Sequence, residues 1–251
     1  MSRANGINAE RCLITLCIVS LLMPLAACAS GSDLRATTTR AITSTLAAES
    51  WREQGTSSYS ADGETQETTW EGEVAAPDRS RVKITTETGK WCEATRIGDQ
   101  SYVRTSHMPD SGGAASGVAC VIVGSMTEEL EPLELLIDLE QLPDEDIDNV
   151  LCLHYRGRMD MDAFVEKEKA EMGSQLPPEL LELMRRGSME VELWVGKDDY
   201  LIRQMKRLDH MPELEAGTAE ERWIRQSTVM RFYDFNEPIS IEPPPPDSSE
   251  G

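Results

Sequence analysis

Apolar and polar residues alternate along several short stretches of the chain. Met189-Glu190-Val191-Glu192-Leu193-Trp194-Val195 is apolar at its odd positions, and Arg81-Val82-Lys83-Ile84 at its even ones. Half-buried antiparallel strands alternate in this way. Runs rich in Thr, Val, Ile and Tyr predict strands over Thr65–Val74, Arg81–Thr86, Trp91–Ile97 and Ser101–Thr105. Thr88-Gly89, Gly98-Asp99 and Pro77-Asp78 punctuate them as turns. Further strands are predicted at Val150–Met159, Met189–Val195, Tyr200–Leu208 and Trp223–Phe235, with Lys197-Asp198-Asp199 as a hairpin turn.

Helical spacing predicts three covering segments. Residues 33–53 carry Leu34, Ala41, Ile42 and Leu46 behind a capping Asp33. Residues 126–142 place Met126, Leu130, Leu133 and Ile137 on one stripe, widened by Leu135, Leu136 and Leu139. Residues 160–186 form an insert broken at Pro177-Pro178, with Arg185 and Arg186 at the negative end of the dipole and Gly187 at the C′ position. A sheet with one apolar face must cover it, and these segments are the candidates. The expected class is α+β. A sheet of about eight or more strands also curls, and a trough incompletely filled by short helices is a lipid-shaped cavity.

The N-terminus stands apart. Residues 12–27, CLITLCIVSLLMPLAA, are uncharged and shorter than the ~20 residues of a spanning helix. They match a secretory signal. Leu25-Ala26-Ala27-Cys28 resembles a bacterial lipobox, in which the Cys becomes the lipid-modified first residue. The expected organisation is a signal peptide over 1–27, a folded domain over 28–242 and a disordered Pro-rich tail over 243–251. Cys28 would then hold the domain on a bacterial membrane, facing the periplasm or the exterior. The net charge of −21 over 251 residues makes the anchor, not basic attraction to headgroups, responsible for tethering. The same charge excludes a nucleic-acid partner.

Catalytic and metal patterns are weak. His107, His154 and His210 lie in separate segments without H-x-x-x-H spacing, and there is no G-x-S-x-G elbow. Asp144, Asp146 and Asp148 begin like a calcium loop, but Asn149 and Tyr155 occupy the Gly and Glu positions. A solvated acidic turn is expected there. No catalytic residue, metal ligand or cofactor is expected, and the chain reads as a non-enzyme. Export permits disulfides. Among Cys92, Cys120 and Cys152 three pairings are open; Cys92–Cys120 is favoured because the loop 107–118 can carry Cys120 over the sheet.

Four motifs, in order, then resemble the LolA-like lipoproteins of the LppX/LprG type. Glu71-Gly72 through Ala76-Pro77-Asp78-Arg79 is similar to the family's E-G-x-x-x-A-P-D-R segment. Glu93 to Arg104 resembles its strand, I-G turn and aromatic-led strand. Trp194 to Arg203 resembles its W-x-x-x-x-x-x-L-x-R hairpin, and Phe232 to Ile241 its F-x-D-x-N-x-P-x-x-I ending. The resemblance implies a curved, unclosed antiparallel β half-barrel with helices over its concave face, holding acyl chains of a lipid or lipoprotein as a carrier. By alternation, the cavity would be lined by Val82, Ile84, Leu151, Leu153, Met189, Val191, Leu193, Met230 and Phe232. The helical cover would add Leu133, Ile137, Leu180 and Met184. The rival expectation is a sensory or scaffolding lipoprotein that binds an envelope protein through the same fold with a dry core.

Overall fold

The computed structural model describes residues 31–106, 130–172, 176–214 and 221–245. Helix α1 (Gly31–Leu46) is followed by strands β1 (Ser50–Ala61), β2 (Glu64–Ala75), β3 (Arg79–Thr86), β4 (Trp91–Ile97) and β5 (Gln100–Thr105). A 3₁₀ helix (Glu131–Leu135) leads into β6 (Leu136–Ile147) and β7 (Val150–Met159). Helices α2 (Met161–Met172) and α3 (Pro178–Arg186) precede β8 (Ser188–Gly196), β9 (Ile202–Leu214) and β10 (Glu221–Tyr233).

The described strands form one open antiparallel half-barrel in the order β5-β4-β3-β2-β1-β10-β9-β8-β7-β6. Two five-strand meanders meet where β1 pairs with β10, in the register Gly55↔Met230. Edge strand β6 carries Pro143 and five acidic residues (Asp138, Glu140, Asp144, Glu145, Asp146), which suit a strand that must not recruit another. Asp62-Gly63 and Asp148-Asn149 supply pairs of positive φ to the β1–β2 and β6–β7 turns.

Helix α1 buries Leu34, Thr38, Ala41, Ile42 and Thr45, a face with i, i+4, i+7, i+8 and i+11 spacing. The Thr45 hydroxyl donates to the Ala41 carbonyl (2.8 Å) and accepts the Ile202 N–H (2.9 Å), which joins the helix to β9. Arg35 donates to the carbonyls of Glu134 and Leu136 at 3.2 and 2.8 Å, so the other end of α1 is tied to the 3₁₀ helix and β6.

Three expectations are corrected. The first helix stops at Leu46, and residues 50–53 already belong to β1. That strand, SWREQGTSSYSA, has no apolar alternation to announce it. Its middle is Gly55, where a Cβ would collide with the Trp70 ring lying over it. The expected helix over 126–142 is instead, in its described part, the 3₁₀ helix and the start of β6; residues 126–129 lie outside the described residues. Leu136 and Leu139 are three apart yet both reach toward Gly157, because a bulge around Asp138 (φ 53°) inserts the extra residue. A bulged strand thus imitates helical spacing. Finally, Gly187 closes α3 with φ −75°, not in the left-handed region. A Cβ there would meet the sulfur of Met211, which would have to shift.

Candidate functional site

The register assigns every strand residue to the helix-covered face or to the outer face. On the covered face Met189, Val191, Leu193, Met230, Phe232 and Leu133 join one buried cluster with Ile42, Trp51, Leu136, Tyr155, Met159 and Met205. Leu153 is half-buried against it. Val82 is buried and Ile84 half-buried on β3, where Ile84 pairs with Trp70 and Cys92. Met184 is half-buried on α3.

Three expected lining residues do not line this interior. Leu151 is 53% exposed, beyond the reach of the helical cover. Leu180 is 40% exposed, because α3 turns Leu181 and Leu183 inward instead. Ile137 pairs with Arg158 while Leu136 pairs with buried Met159, so Ile137 lies on the outer face. The expected Cys120 and His107 lie outside the described residues, as does Cys28.

Between the sheet and its cover is a cavity of about 100 Å³, bordered by Leu133, Met159, Phe164, Met189 and Met205, with Arg207 at its side. Three methionines on three elements give it soft, adaptable walls. Its size is below the ~300 Å³ at which small-molecule pockets begin. The covered face then turns polar. On β10 Met230 is followed by Thr228 and Gln226; on β9 Met205 is followed by Arg207 and Asp209. Arg207 donates to Asp209 at 3.0 Å, and Ser57 links Thr228 (3.2 Å) and Gln226 (3.1 Å). The apolar space therefore has a polar end.

The resembling motifs are structural latches. Gly72 leaves room for buried Glu53, whose Cγ would lie 2.7 Å from a Cβ there. Arg79 holds the carbonyl of Ile241 at 3.0 Å. Asp234 accepts from Arg52 at 2.7 Å, and the Asn236 side chain accepts the Glu49 N–H at 2.8 Å. Together these fasten the chain after β10 to the beginning of β1 and to β3.

On the outer face His154 is buried and stacks on Trp194 with centroids 4.2 Å apart. His154 Nε2 lies 2.9 Å from Glu192, and Trp194 donates to Glu145 at 2.9 Å, which pins the bulged edge strand. Burial alone would raise the Glu192 carboxyl; its hydrogen bond to His154 and the charges of Lys206 and Arg156 outweigh that and hold it below the usual range. Cys152 is free and fully buried, and burial pushes its thiol up to about 11, so it is not a nucleophile. Cys92 is disulfide-bonded. Among the described residues no group of three or more His, Cys, Asp and Glu could hold a metal ion. The Asp148-Asn149 turn is solvated, with Asp146 accepting the Asn149 N–H at 2.8 Å.

A second, larger depression of about 410 Å³ lies on the outer face over β10, β1, β2 and β3. No apolar periodicity marks it; its only sequence signal is the run of threonines and charges on alternate strand positions.

No protein-family model matches the chain, and no curated protein sequence does. Solved structures do. The lipoprotein LppX of Mycobacterium tuberculosis superposes with a TM-score of 0.50 at 14% identity, covering 85% of this chain and 100% of that one. LprF of Mycobacterium bovis gives 0.41 at 10% identity over 85% and 97%. A LolA superfamily protein of Nitrosomonas europaea gives 0.28 at 10% identity over 80% and 92%. The likeness to LppX is one of fold: an unclosed antiparallel half-barrel with helices on one face.

Proposed function

We propose that the chain is a non-enzymatic exported lipoprotein, anchored through Cys28, that takes an acyl chain between its sheet and the 3₁₀–α2 cover. The observation that carries this reading is the methionine-walled cavity between β7, β8, β9 and the 3₁₀–α2 cover. The fold it shares with the lipoprotein LppX adds support. At about 100 Å³ the cavity must widen to hold a chain, and unbranched methionines on β8, β9 and the end of β7 permit that by changing rotamer. The small volume also favours a second reading, in which the interior stays dry and the lipoprotein binds an envelope protein.

Native mass spectrometry of the full chain, purified from a bacterial host in mild detergent, tests the proposal. A retained lipid mass beyond that of the N-terminal anchor is expected. A bare anchored chain, unchanged after incubation with phospholipid vesicles, would leave the protein-partner reading.

A further inference from the structure

We propose that the depression on the outer face is a saccharide-binding groove, and that its ligand is a neutral β-1,4-linked oligosaccharide. The groove lies opposite the methionine cavity, so this inference does not depend on the acyl-chain reading.

Two rows of side chains cross the strands here. One runs Val229–Thr56–Thr69–Thr85, each residue registered with the next on β10, β1, β2 and β3. The other runs Arg231–Gln54–Glu71–Lys83 on the same strands. Both rows line the depression of about 410 Å³, within the ~300–1,000 Å³ of small-ligand sites. Sugar hydroxyls both donate and accept hydrogen bonds. The rows offer matching chemistry: hydroxyls that do both, an amide that does both, an accepting carboxylate and two donating cations. Neighbouring strands lie about 4.8 Å apart, close to the roughly 5 Å that each hexose adds to an extended β-1,4 chain. A glycan laid across the strands would therefore meet a new polar partner with each unit, and a new threonine on β1, β2 and β3.

The site is held in shape. Arg231 donates to Gln204 at 3.0 Å and faces Asp148 at 3.6 Å. Threonines are stiff at χ1, so they lose little freedom on binding. The threonine row continues onto Trp91, which is registered with Thr85, and Lys83 lies 5.3 Å from its ring. An aromatic at the end of a hydroxyl row suits the C–H face of a pyranose.

Other occupants fit less well. The four strands are interior to the sheet, so their backbone groups are engaged in the ladder and cannot pair with an added peptide strand. The lining is mostly polar, with Val229 and Trp70 as its large apolar members, and gives an acyl chain little to bury against. A net charge of −21 disfavours a polyanion, which selects a neutral or N-acetylated sugar.

The test is saturation-transfer NMR and calorimetry on the full chain in detergent, with cellotetraose and the tetramer of N-acetylglucosamine as probes. Binding of at least one at millimolar concentration or tighter is expected. The double variant Thr69→Val, Thr85→Val keeps the branched shape and removes two hydroxyls. It should melt like the wild type and bind about tenfold more weakly. Absence of binding to both sugars would overturn the proposal, as would equal affinity in the variant. Tighter binding of heparin fragments or of a Ser/Gly-rich peptide than of either sugar would also overturn it.

Discussion

Met205 offers the sharpest test of the acyl-chain reading. It is 1% exposed, belongs to the buried cluster and borders the cavity. Met205→Ala removes three heavy atoms, a transfer loss of about 2 kcal/mol at ~0.8 kcal/mol per methylene-sized group. It also adds about 70 Å³ of space, worth a further ~2 kcal/mol if nothing fills it. The empty variant should therefore lose about 4 kcal/mol, which lowers the melting temperature of a domain this size by roughly 8–16 °C. An acyl ligand should narrow that deficit. Ligand at about a hundred times its Kd restores ~2.7 kcal/mol, and the enlarged space should bind a chain more tightly than the wild type does. Thermal melts with and without a fatty acid, together with displacement of a fluorescent acyl probe, read both terms. Destabilisation of the expected size, with no ligand-dependent recovery and no probe binding by either protein, would refute the cavity as an acyl site.

Cys28→Ser should move the protein from the detergent phase to the aqueous phase on detergent partitioning; equal partitioning of the two forms would sink the lipobox reading. Peptide mapping without reductant should link Cys92 to Cys120 and leave Cys152 alkylatable only after unfolding, since Cys152 is fully buried; closing that loop of about 28 residues stabilises by ~3–4 kcal/mol. Acid should weaken the fold through two carboxyls held below their ordinary range. Burial opposes ionisation of Glu73, but Arg81 and Arg52 outweigh it, as His154 and the nearby cations do for Glu192. Such groups stabilise fully above the unfolded carboxyl range and lose that contribution as pH falls through the lowered folded value, so urea midpoints should hold to about pH 5 and then decline. Arg81→Met should flatten the decline, and an unchanged slope would show that Glu73 does not contribute.

The parts of the fold that were legible in the sequence are those where one physical demand acts alone. On β8 the covered face is buried throughout, so Met189, Val191 and Leu193 alternate with Glu190 and Glu192 and the strand reads directly. The Thr88-Gly89 and Gly98-Asp99 turns read well because Gly89 and Gly98 must adopt positive φ. Where two demands overlap, the pattern fails. β1 sits at the centre of the sheet but makes polar contacts even on its covered face, including Ser57 with Thr228 and Tyr59 with Glu213, so it shows no apolar period. β6 must satisfy the core with Leu136 and Leu139 and bend at the edge, and its bulges turn period two into an apparent period near three. The candidate cavity was half legible for the same reason. Alternation picks out the inward residues of β8 and β10, whereas on β7 it is applied to Leu151 and Leu153 without being carried on to Met159, and β9, which holds Met205, is assigned no face. The outer groove was invisible, since it depends on which strands become neighbours, and β1–β10 pairing joins residues about 170 positions apart in sequence.

The position of the cavity relative to the proposed anchor has a mechanical consequence. Two residues separate Cys28 from Gly31, a reach of about 10 Å when fully extended. Gly31 begins α1, and the hydrogen bonds of Arg35 bind that end of the helix to Glu134 and Leu136, beside the 3₁₀ helix whose Leu133 borders the cavity. The start of β6 pairs with Met159 at the end of β7, and α2 follows directly. An anchor at Cys28 therefore brings the 3₁₀–α2 end of the trough, and not the distant β6–β7 turn at Asp148-Asn149, to the bilayer. A chain entering the methionine space from the membrane would then have a short path past α2, while the polar end at Arg207 and Asp209 would stop it from running through the sheet. Beyond its start the acidic edge strand β6 extends away from that contact, and its carboxylates disfavour approach to anionic headgroups.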